Sequence, residues 1–235
     1  MFNNNDSVEV QSGILTLTRG GTSTSNFDVA ATATLNFTTN YTANLGMTIT
    51  GDGLTWLNSG TFTLGSAATG PDAITALNLR LASGGTLSGS GDLTIDPLGV
   101  FTWSGGVMTG GGNTNIPATA SLNIIAGVFF DDRTINNSGT TTWTGGEIHS
   151  GLGAVFNNLS LFDIVGNLHF DYDRGGTVTV FNNSGTFRKS AGAGTATIDI
   201  NFDNSGASGT PSCADSIDAQ SGAIDFIRGF IACTP

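Results

Sequence analysis

Residues 101 to 124, FTWSGGVMTGGGNTNIPATASLNI, recur forty residues later as TTWTGGEIHSGLGAVFNNLSLFDI, residues 141 to 164. Trp103 matches Trp143, Gly105 and Gly106 match Gly145 and Gly146, and Leu122-Asn123-Ile124 matches Phe162-Asp163-Ile164. Apolar residues alternate with Thr, Ser, Asn and Gly, the period of a strand with one buried face. A unit of this kind cannot bury its inner face alone, so its repetition points to a solenoid in which each coil packs only on its neighbours. The expected fold is all-β: a single right-handed parallel β-solenoid (β-helix) over residues 1–235, with coils of roughly 20 residues, two per forty-residue repeat. At that coil length the chain makes on the order of a dozen coils. A β-sandwich also has short strands and frequent turns, but it has no reason to repeat Trp, a Gly pair and a turn in the same order.

Composition agrees. Only 11% of the residues are charged while 38% are hydrophobic, which excludes a disordered chain. Thr and β-branched aliphatics favour strands, and the 35 Gly together with many Asn favour turns. The tetrapeptide NSGT, a turn motif, occurs at 58–61, 137–140 and 183–186. The net charge of −11 argues against nucleic acid, whose phosphates need a basic surface. No run of about 20 apolar residues exists to span a bilayer, so no membrane insertion is expected. The opening MFNNNDSVEV lacks the basic and apolar regions of a signal peptide.

Two features stand outside the short period. Residues 6–21, DSVEVQSGILTLTRGG, return as DSIDAQSGAIDFIRGF at 215–230, 209 residues further on, so the chain is expected to end in the element with which it began. Residues 65–82, with Pro71 and Asp72, lose the period and read as a loop insertion or an irregular coil.

The units FNNSGT (181–186), VQSGILTLTRGGTSTSNFDVAATATLNF (10–37) and FTWSGGVMTGGGN (101–113) resemble the β-strand repeats of very large bacterial surface and secreted proteins, of the adhesin and autotransporter-passenger kind. The resemblance implies a non-enzymatic structural or adhesive module: a stalk or repeat unit, extracellular or at the cell surface. Its partners would be a cell-surface glycan or other copies of the chain end to end.

Candidate sites follow from spacing. Cys213 and Cys233, the two cysteines, are 20 residues apart, one expected coil. Stacked at the strand separation of about 4.8 Å they could form a disulfide that pins the C-terminal coil, 212–235. The two histidines, His149 and His169, are also 20 apart. With Glu147, Asp171 and Asp173 they could share one outward patch able to hold a divalent cation, since imidazole and carboxylate are ordinary metal ligands. Otherwise no cofactor is expected. An alternative is a carbohydrate-active β-helix, a polysaccharide lyase, glycosidase or sugar-binding module, with Asp171, Asp173, Arg174, Arg188 and Lys189 as its chemistry. No GxSxG, HExxH or P-loop motif supports other catalysis. Trp56, Trp103 and Trp143 offer either core or sugar-stacking surfaces, with core favoured.

Overall fold

The computed structural model describes residues 1–44, 46–65, 74–205 and 216–232. Over these the chain is a parallel β-solenoid of about nine turns without helices, its coils about 21 residues long. No helix is long and apolar enough to cross a membrane among the described residues. Each coil lays down three short strands, so the rod has three faces.

The second face is one continuous ladder. It runs from Gly13–Leu17 through Ala33–Phe37, residues 54–57, 78–81 and 100–103, then Ser121–Ile124, Thr140–Trp143, Leu161–Val165 and Thr186–Ala191 to Ser216–Ala219. The third face stacks Gly21–Ser23, Tyr41–Ala43, Val107–Met108, Val128–Asp131, Ile148–Gly151, His169–Tyr172, Thr195–Ile198 and Ala223–Phe226, with residues 62–64 and 86–89 between the second and third of these. The first face is interrupted: Val8–Val10, Asn26–Val29 and Thr48–Thr50 form a separate three-stranded sheet. It resumes with residues 74–76 and 93–95 and continues through Asn113–Ile116, Thr134–Asn137, Val155–Asn158, Val180–Asn183 and Asn201–Asn204 to Phe230–Ala232.

Strand alternation sends every second side chain inward, and identical positions stack coil on coil. On the second face one inward column reads Phe101, Leu122, Thr141, Phe162, Phe187, and the next reads Trp103, Ile124, Trp143, Ile164, Lys189. Trp103 and Trp143 are therefore two coils apart with Ile124 between them, and both are core. Phe156, Phe181 and Phe202 stack on the first face at 4.9 and 5.1 Å. Each fully buried ring of this kind contributes about 1.5–3 kcal/mol of hydrophobic stabilisation.

The corner between the first and second faces is stitched by two asparagine ladders. On the inside Asn137 Nδ2 donates to Asn158 Oδ1 at 2.9 Å, Asn158 to Asn183 at 2.7 Å, and Asn183 to Asn204 at 2.6 Å. On the outside Asn182 donates to Asn157, Asn157 to Asn136, and Asn136 to Asn115, at 2.8, 2.8 and 2.9 Å. In-register parallel stacking is what lets one amide bond the next. The inner ladder stops at Asn137 because the next rung is Ile116, leaving Asn137 Oδ1 without a donor.

Several expectations change. The turns number about nine rather than a dozen because coil length grows along the chain: Asn137 pairs with Asn158 after 21 residues, Phe156 with Phe181 after 25, and Ala196 with Ile224 after 28. The variable spacing of the NSGT turns has the same origin. Within the stretch read as irregular, residues 74–82 are part of the strand Ile74–Gly89, paired in register on both sides; residues 66–73 lie outside the described residues. Cys213 and Cys233 also lie outside them. Trp56 shares a Thr-Trp pair with the other two tryptophans but occupies the outward column, between Asn36 and Arg80. Its ring lies under the Arg80 guanidinium at 5.4 Å. A shift of one residue along a strand exchanges inside and outside.

The long-period return is displaced. Val8–Val10 lies on the first face, whereas its sequence copy Ser216–Ala219 joins the second-face ladder that begins at Gly13–Leu17. Likewise Gly13–Leu17 is on the second face and its copy, Ala223–Phe226, on the third. The chain re-enters its opening sequence one face further round, after nine turns and about a third.

Candidate functional site

The third face carries the cluster. Ile148–Gly151 and His169–Tyr172 are neighbouring rungs, and the register sets His149 opposite Asp171 and Ile148 opposite Phe170. Ile148 and Phe170 are buried, which fixes His149 and Asp171 on the outside. The coil here holds 22 residues, not 20, so His169 is displaced along the strand from His149 instead of stacking on it.

Of the five residues expected to share the patch, His149, Asp171 and Asp173 have their ligand atoms within 4.8 Å of one another. His149 Nδ1 lies 2.8 Å from Asp173 Oδ2, and its Nε2 lies 3.7 Å from Glu147 Oε2. His169 sits at the margin, its Nε2 3.8 Å from Asp171 Oδ1, with no hydrogen-bond partner although buried. The preceding rung places Phe129 under the His149 ring, with centroids 5.1 Å apart and planes tilted by 23°.

The nearby guanidinium groups face other carboxylates. Arg174 donates to Asp131 at 2.9 Å and lies over the Phe129 ring at 4.9 Å. The hydrogen bond with Asp131 holds the Arg174 pKa above its ordinary value. Arg228 pairs with Asp199 at 3.0 Å and covers Tyr172 at 4.9 Å.

The five residues of the carbohydrate-active alternative are not brought together. Asp171, Asp173 and Arg174 belong to the third face, and Arg188 and Lys189 to the second. Arg188 donates to Asp163 at 2.7 Å. Burial would raise the Asp163 carboxyl, but hydrogen bonds from Arg188 and Ser190 outweigh it and hold it below the usual carboxylate value. Lys189 is wholly buried in the column of Trp143 and Ile164; its ammonium donates to the carbonyls of Ala191, Gly192 and Ser221, the last at 2.9 Å. It is a clamp between coils. Arg133 does the same at another corner, donating to Thr114 Oγ1, Gly91 O and Asn113 O at 2.8, 3.1 and 2.7 Å, with burial pulling its pKa down to about 10.

The sequence reading missed one concavity. Where the first face is interrupted, a cleft of about 540 Å³ is lined by Thr50, Asp52, Thr75, Asn78, Asp96 and Leu98 among others. Asp52 and Asp96 are 44 residues apart, and two coils of slightly more than 20 residues would have been the signal. Comparison of the chain with protein families, curated proteins and solved structures finds no match. The class defined by the fold is the parallel β-solenoid.

Proposed function

We propose that this chain is a non-enzymatic structural or adhesive rod, a stalk or repeat unit of a larger bacterial surface protein working outside the cell. The observation that carries the reading is the filled, three-faced stack. Its second and third faces run unbroken from the first coils to the last, and its inner columns are closed by aromatic side chains and asparagine ladders. Such a stack supplies stiffness along its axis, because every coil is bonded to both neighbours on several faces. Its mechanism is geometric: it carries groups on its flanks and ends to a cell-surface glycan or to another copy of the chain.

One observation favours the carbohydrate-active alternative, the cleft that places Asp52 and Asp96 on one concave wall. A glycan array combined with a polysaccharide depolymerisation assay separates the two readings. The rod reading expects no release of reducing ends from any polymer. Release that disappears in Asp52→Ala or Asp96→Ala would replace it.

A further inference from the structure

We propose that His149, Asp171 and Asp173 form a divalent transition-metal site on the flank of the rod, with Glu147 completing the ligand set. The inference concerns chemistry at one face and holds whether or not the rod reading is correct.

Geometry is the first argument. Two donors each about 2.1 Å from an ion stand no more than about 4.2 Å apart. His149 Nδ1 and Asp173 Oδ2, at 2.8 Å, already meet that limit, and the whole triad is contained within 4.8 Å. A small swing of exposed carboxylates closes the remainder. The residues come from adjacent rungs of one ladder, His149 directly opposite Asp171, so the backbone of two coils holds them at fixed spacing.

Charge is the second argument. Glu147, Asp171 and Asp173 converge on one imidazole. The neighbouring guanidinium groups of Arg174 and Arg228 hydrogen-bond instead to Asp131 and Asp199. Three carboxylates that repel one another are relieved by a dication more fully than by a neutral histidine.

The surroundings supply the third. Phe129 stacked beneath His149 fixes the plane of the ring, as a pre-formed site requires. His169 brings a ring nitrogen that has no partner to 3.8 Å from Asp171 Oδ1, where it can serve as the outer hydrogen-bond partner of a ligating carboxylate. A mixed imidazole and carboxylate set selects zinc, nickel or cobalt over calcium and magnesium, which take oxygen ligands alone.

The test is calorimetric titration of the chelator-treated chain with zinc chloride, in parallel with His149→Gln, Asp173→Asn and the double variant. One zinc per wild-type chain is expected, weakened about tenfold or more by each single change and abolished by both. Far-UV circular dichroism and the urea midpoint without metal establish that the variants fold. If a variant does not fold, the imidazole resonances of the wild-type chain decide, since there are only two histidines. Zinc should shift the His149 ring signals first. Absence of a one-to-one zinc event would overturn the proposal, as would zinc binding undiminished in the double variant, calcium binding as tight as zinc, or unmoved His149 resonances.

Discussion

Asn158 and Asn157 are neighbours on one strand, chemically identical, and face opposite sides of the wall. Asn158 is fully buried: it accepts from Asn137 at 2.9 Å and donates to Asn183 Oδ1 at 2.7 Å and to Thr186 O at 3.1 Å. Asn158→Ala removes these bonds and strands Asn183 Oδ1 in the interior, while the Asn137 amide keeps Leu161 O at 2.9 Å. Each net hydrogen bond is worth about 1 kcal/mol, and a buried polar group left unpaired costs about 1–3 kcal/mol, so the change should destabilise by about 3–5 kcal/mol. Asn157 belongs to the outer ladder, donating to Asn136 and accepting from Asn182, each at 2.8 Å. Water replaces those bonds on truncation, so Asn157→Ala should cost about 1 kcal/mol or less. Urea unfolding followed by the fluorescence of buried Trp103 and Trp143 measures both, with the slope compared between variants because long stacks can unfold in parts. Equal losses within about 0.5 kcal/mol, or a larger loss for Asn157→Ala, would refute the claim that the inner ladder holds the corner together.

Gly146 has φ +72°, and a Cβ there would lie 1.9 Å from the Gly127 nitrogen, so Gly146→Ala should cost about 3 kcal/mol or more by calorimetric melting. Gly111, in open space, is the control: Gly111→Ala should change stability by less than about 1 kcal/mol, and equal effects would remove the argument for close approach at the repeated Gly pair. Burial pushes the Tyr41 phenol up to about 12, against an ordinary value of 10.0. The unfolded chain therefore releases that proton first, and stability present below pH 10 drains away as pH rises towards 12. Tyr41→Phe, which also loses the bond to Thr22 O at 3.0 Å, should be the less stable protein near neutrality and should lose less of its urea midpoint than wild type at alkaline pH; parallel losses would contradict the burial of the hydroxyl.

How far the fold could be read from residues depended on whether the period survived in them. The Trp103 and Trp143 repeat gives two coils because Ile124 takes the rung between them, and an apolar residue at that place is visible in the sequence. The asparagine corners are legible for the same reason. Trp56 was not, because a Thr-Trp pair carries no mark of which residue begins the alternation. Residues 74–82 were obscured by Pro71 and Asp72 just before them, although Leu79 and Leu81 alternate as their neighbours do. The site was half legible. Spacing brought Glu147, His149 and the two aspartates to one flank, but a coil of 22 residues, which a 20-residue period does not forecast, set His149 against Asp171 rather than His169. Lys189 and Arg133 were beyond reach. Cations read as surface residues, and only the folded corners reveal carbonyl groups from successive coils gathered where an inward cation can bond them all.

The displacement of the opening sequence by one face bears on how a flank is presented. If units like this one followed one another in tandem, each would be turned by about a third of a revolution relative to the last. The His149 flanks of three successive units would then point in three directions, like spokes, and the fourth would return to the heading of the first. A rod built so has no blind side: a ligand approaching from any azimuth would meet a flank within three unit lengths, and neighbouring rods in a bundle could be engaged on all sides by a single repeated patch.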